Sequence, residues 1–174
     1  MAKSLKGYKA FRMGAIATDG SMGTTLAALG TTVKGSTTAT TSEAQTQDFF
    51  IEEQSGAFES SVTEDPFFSG VLELYDVHPL TAVKVFGGTT ASVGTGASKK
   101  LKFIPPASYS PLEQSIEVES KNGGVLSITR AQILPQWNLS YQDGELGKIV
   151  INWKQLVPTK DGEPGYTFTV PDPA

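Results

Sequence analysis

Three dipeptides divide the second half of the chain: Asn122-Gly123, Asp143-Gly144 and Asp161-Gly162. Asn-Gly and Asp-Gly favour the tight turns that join antiparallel strands, and Asn122-Gly123 predicts a type I′ hairpin. The residues between these turns alternate in polarity. Ile116 and Val118 alternate with Glu117 and Glu119, and Ile149, Ile151 and Trp153 share one parity. A period of two places such residues on one face of a strand. Strands are expected at 100–104, after Pro111 through the alternating residues 116–119, and at 125–130, 133–141, 146–157 and 166–170, with Pro105-Pro106 and Pro158 as stops. Ile133, Trp137, Leu139 and Tyr141 share a parity, and Trp137, Tyr141 and Trp153 read as core or interface anchors. The result is a mainly β chain, a β-sandwich or partial barrel, with one short α-helix.

That helix is expected at 79–86. Pro79 suits a first turn, Leu80, Val83, Val85 and Phe86 offer an apolar side, and Gly87-Gly88 stops it. It follows a half-buried strand over 67–75, in which Phe68, Leu72 and Leu74 share a face.

The front of the chain is less regular. Residues 1–7 read as a flexible arm and 8–17 as a strand of mixed polarity. Residues 24–30 (TTLAALG) read as a loop or a short helix. The Thr-rich segment 31–42 has β-propensity but no apolar face, so it is suited to water or to another chain. A strand is expected at 45–52, then a loop over 54–65 with Phe58 and Val62 tucked inward. Residues 43–65 thus form a long acidic loop or strand extension, with Glu43, Asp48, Glu52, Glu53, Glu59, Glu64 and Asp65 and no basic residue. A flexible loop is expected at 89–98 and a C-terminal arm at 159–174.

Composition narrows function. The 174 residues suit a single domain, and 39% are hydrophobic, enough for a packed core. There is no cysteine, which excludes a disulfide framework and thiol chemistry, and one histidine, His78, excludes sites built from several imidazoles. His78 reads as a residue that opens the helix. No apolar run approaches the roughly 18 residues of a membrane span, so a soluble chain made in a cytoplasm is expected. The loop 94–99 (GTGASK) lacks phosphate-loop spacing, and the paired carboxylates lack the alternating pattern of a calcium loop. No catalytic residue, metal or cofactor is expected. Fourteen basic and 18 acidic residues give a net charge of −4, which argues against a tight nucleic-acid sheath. The charges are zoned, however. Lys3, Lys6, Lys9 and Arg12 precede the acidic middle, and Lys99, Lys100 and Lys102 follow it. Opposed zones allow head-to-tail docking of copies.

Three features together resemble one family. A Thr-rich strand runs into the acidic stretch around Asp48, Glu52 and Glu53. The strand 71–75 is followed by a short helix and Gly87-Gly88. The chain then continues with SIEVESKNGGVLSITRAQILPQWNLSY, a hairpin and KIVINWKQLVP. This order, over about residues 30–158, resembles the tail tube (major tail) proteins of tailed bacteriophages. The resemblance implies a β-sandwich flanked by one helix, assembled into hexameric rings that stack into a β-lined tube. A long loop and terminal arms would reach neighbouring subunits. The tape measure protein and then DNA would occupy the lumen, and other tail proteins the tube ends. The subunit would be assembled in the host cytoplasm and reside in the virion tail. On this reading the interface residues are Lys3, Lys6, Lys9 and Arg12 of the arm and Asp48, Glu52, Glu53, Phe58 and Glu59 of the acidic extension. The alternative is a stand-alone β-sandwich module that decorates a virion or acts as an adhesin.

Overall fold

The computed structural model describes residues 5–171, and they are mainly β with one short helix. The principal sheet has eight strands. The N-terminal strands are β1 (Tyr8–Gly14), β2 (Ala27–Ala28) and β3 (Thr38–Thr41). Two more, β4 (Gln45–Phe50) and β5 (Ala57–Glu64), form a separate hairpin, and β6 (Phe68–Leu74) returns to the sheet. Helix α1 (Pro79–Phe86) precedes a second separate hairpin, β7 (Thr89–Val93) and β8 (Lys100–Ile104). The C-terminal strands are β9 (Leu112–Ser120), β10 (Val125–Asn138), β11 (Lys148–Gln155) and β12 (Tyr166–Thr169). The sheet runs β2-β1-β9-β10-β11-β6-β3, all antiparallel, and β12 pairs with β10 off this path.

The inward parities form one core. Phe11 and Met13 on β1, Ile116 on β9, Leu126, Ile128 and Ile133 on β10, Ile149, Ile151 and Trp153 on β11, and Leu72 and Leu74 on β6 are all buried. The two margins of the sheet are drawn together over this core. Residues 31–33 lie along β6, where Val33 N–H donates to Glu73 O and Tyr75 N–H donates to Thr31 O, both at 2.8 Å. From the other margin, Tyr8 Oη on β1 reaches Thr32 Oγ1 at 2.8 Å. The sheet therefore curls without closing, as a sandwich or partial barrel does. Trp153 lies so close to β6 that a Cβ on Gly70 would overlap its ring and the carbonyl of Thr38.

Strands expected separately at 125–130 and 133–141 are one strand, β10. Its register with β9 passes from Ile128↔Ile116 to Ala131↔Gln114, so Thr129 and Arg130 together oppose Ser115. This bulge shifts the inward parity from Leu126 and Ile128 to Ala131 and Ile133. The other edge of β10 changes partner at the same place, from β12 over Val125–Ile128 to β11 from Ala131 onward. A polar knot holds the bulge. The fully buried Ser115 hydroxyl donates to Thr129 O at 2.7 Å and accepts from Gly23 N at 2.9 Å. Thr129 in turn donates through its backbone N–H to Gly165 O and through Oγ1 to Pro164 O. Ser115→Ala leaves the Gly23 N–H without its acceptor, and it is expected to cost about 2 kcal/mol. The urea midpoint should fall with an unchanged slope.

Other expectations are corrected. The turn at Asn122-Gly123 is not type I′, which needs positive φ at both central residues; only Gly123 has it, at 83°. Gly123 N–H donates to Ser120 O, and Ser120 N–H to Gly124 O, so a type I turn is followed by a left-handed glycine. Asp143-Gly144 does form a turn, closed by Glu145 N–H donating to Gln142 O at 3.3 Å, but the turn sits within a longer connection between Asn138 and Lys148 and does not join the strands directly. Residues 24–30 hold the short strand β2, which pairs with the preceding strand β1. The Thr-rich segment is a strand only over Thr38–Thr41. Residues 89–98 are largely hairpin, with Phe103 of β8 held by Phe86 and Trp137, whose own rings stack at 4.9 Å. Helix α1 buries Thr81, Ala82 and Val85, while Leu80 is exposed. Asp76 sets this rotation, since its carboxylate accepts from Thr81 Oγ1 at 2.8 Å and from His78 N–H at 3.1 Å. Within the C-terminal arm expected at 159–174, residues 159–171 are tied to the domain, because β12 is part of the sheet and Lys160 pairs with Asp19 at 2.8 Å. Residues 172–174 and 1–4, Lys3 among them, lie outside the described residues.

Candidate interaction surface

The expected loop at 54–65 is the second strand of a two-stranded ribbon. Where β3 and β6 end, Ser42 and Phe67 continue the pairing. Ser42 N–H donates to Phe67 O at 2.9 Å, and Phe67 N–H donates to Ser42 Oγ at 3.0 Å. Strands β4 and β5 then pair from Gln45↔Glu64 to Phe50↔Ala57, with a register shift that leaves Phe58 between two pairs. Residues 51–56 form the tip. At the base, Lys154 Nζ lies 4.2 Å from the centre of the Phe67 ring.

Every residue from 43 to 66 is exposed. That includes Phe49, Ile51, Phe50 at 70%, Phe58 at 59% and Val62 at 61%. The inward placement expected for Phe58 and Val62 is thus overturned, because the ribbon leaves the sheet and has no core beneath it. Phe58, Ser60 and Val62 share one face by alternation. A lone two-stranded hairpin is marginal in water, and clustered exposed apolar groups mark interaction surfaces. Among the described residues, none of Glu43, Asp48, Glu52, Glu53, Glu59, Glu64 and Asp65 forms an ion pair. The ribbon therefore carries apolar side chains and uncompensated negative charge together.

The basic residues of the N-terminal segment are placed differently. Lys6 is exposed, and its backbone N–H donates to Asn122 Oδ1. Lys9 and Arg12 stand on β1 and pair within the chain to β9: Lys9 with Glu119, Arg12 with Glu117, and Arg12 with Glu119 at 2.7 Å. Their partners lie more than a hundred residues away and sequence spacing could not reveal them. Hydrogen bonds from Lys9 and then Arg12 hold the Glu119 carboxyl below its ordinary value of 4.5. A carboxyl depressed in the folded state adds stability above its unfolded value and loses it as pH falls through the lowered folded value. Wild type should therefore lose stability below pH 4.5, and Glu119→Gln should lose less over the same range. Urea midpoints at pH 7 and at about pH 3 measure the difference.

The remaining candidates have local roles. His78 caps α1, its Nδ1 accepting from Leu80 N–H at 3.3 Å. Residues 94–99 connect β7 to β8. Trp153 is buried, Trp137 stacks on Phe86, and Tyr141 is 92% exposed. No three potential metal-ligating side chains come together among the described residues, and no helix there is long and apolar enough to cross a membrane. Sequence reasoning missed the exposed Phe50 and a cleft beside β3. No protein-family model matches the chain, and a search of curated proteins finds no match to it.

Proposed function

We propose that this protein is the repeating structural subunit of a bacteriophage tail tube. Copies associate into rings, six to a ring on the family resemblance, and the rings stack around a channel. The tape measure protein fills the channel before DNA passes through it. Other tail proteins close the ends, and the assembled subunit belongs to the virion.

One observation carries the reading: the β4–β5 ribbon exposes every residue from 43 to 66, aromatic residues included. Contact with another copy would cover those apolar groups. The outer edge of β3, at the margin of the sheet, is likewise open to strand pairing with a neighbour. Net charge −4 suits a channel along which DNA slides without adhering.

The experiment is light scattering after gel filtration together with negative-stain microscopy of the purified chain. Rings or tubes are expected. Monodisperse monomers would sink the proposal and favour a stand-alone binding module.

A further inference from the structure

A cleft of about 680 Å³ opens where the curled sheet fails to close, between the β1–β9 margin and residues 32–39. Leu5, Tyr8, Val118 and Leu126 give it apolar walls, and the exposed Lys34 and Lys121 border it. Among the described residues, neither lysine has an ion-pair partner.

We infer that this cleft is the socket for the β4–β5 hairpin of a second copy. The inference rests on the assembly reading above and names the surface that receives the ribbon. Two properties of the ribbon match the cleft. Its exposed Phe50 and Phe58 need an apolar concavity, and its unpaired carboxylates need cations. The other basic zone fits less well. Lys100 and Lys102 share a face of β8 with one exposed apolar residue, Ile104, while Leu101 and Phe103 lie half-buried on the other face. That strip offers charge without an apolar recess.

Placement supports the same pairing. Thr38 and Ala39 of β3 border the cleft, and the chain runs from β3 into the ribbon. No ribbon residue lines the cleft of its own subunit. Plug and socket are therefore different surfaces of one molecule. Such a heterologous contact propagates from copy to copy until it closes a ring or extends a filament.

The test uses the full chain. Lys34→Glu combined with Lys121→Glu should raise the protein concentration needed for assembly by about tenfold or more. Mixing this socket variant, which keeps its ribbon, with a chain lacking residues 45–64, which keeps its socket, should give a one-to-one complex that grows no further. Because the chain has no cysteine, a second measurement reads proximity directly. A Lys34→Cys chain mixed with a Phe50→Cys chain should form a mixed disulfide dimer on oxidation. If wild type assembles and the socket variant assembles at the same concentration, the socket is wrong and the tube reading stands. The same holds if Lys100→Cys captures Phe50→Cys and Lys34→Cys does not. A wild-type chain that stays monomeric at all concentrations overturns both.

Discussion

Replacing residues 45–64 by a short Gly-Ser turn is expected to leave the monomer folded and to abolish its self-association. The two halves of this result have separate physical grounds. Stability should change little, because no residue from 43 to 66 is buried and the core lies elsewhere. Shortening an exposed connection changes its closure entropy only slowly, and no core contact is lost. Assembly should fail because the deletion removes Phe50, Phe58 and Val62 along with the unpaired carboxylates. Loss of an aromatic anchor cluster typically costs several kcal/mol of binding, so the assembly concentration should rise by about a hundredfold or more. Urea unfolding and gel filtration at matched concentrations read the two halves. Assembly that survives the deletion would place the contact on another surface.

The second large effect lies in the core. Trp153→Ala is expected to destabilise by about 4 kcal/mol, enough to unfold much of the population of a marginal domain. Trp153 is 2% exposed on β11 and packs over Gly70, where β3, β6 and β11 run side by side. Its removal opens a cavity beneath the root of the ribbon. Trp153→Phe should cost much less, about 1 kcal/mol. Among the described residues the indole Nε1 of Trp153 finds no acceptor, so the phenyl ring loses volume but leaves no polar group unpaired. If the two variants unfold at the same urea concentration, ring packing at this position is not the main term.

These expectations rest on elements that differ in how far sequence revealed them. Ile149, Ile151 and Trp153 alternate cleanly because β11 is central in the sheet and faces the core on one side. Pro79 and Gly87 mark the helix because both act through their own backbone angles. The bulge in β10 hid the continuity of that strand, since one extra residue reverses the parity on which periodicity depends. The ribbon hid a strand for another reason: β5 has no buried face and therefore no pattern to read. The acidic extension was nonetheless visible as composition, and the structure gives it a form. The pairing of Lys9 and Arg12 with Glu119 and Glu117 was invisible, because it depends on β1 lying beside β9. The cleft was invisible too, being made by segments at 5–8, 32–39 and 118–126 that only the curl brings together.

Strand order has a further consequence, in time. From β9 to β11 the chain builds the middle of the sheet, while β1, β2, β3 and β6 occupy its margins. A ribosome delivers the margins first. During synthesis β1 must wait for β9 and β6 for β11, so for most of translation these strands have no sheet to join. The ribbon is local, and it can form as soon as residue 64 has emerged. Its carboxylates then give the nascent chain like charge at the stage when its apolar strands are bare. Negative charge on this segment would keep growing chains apart before it helps finished ones to join.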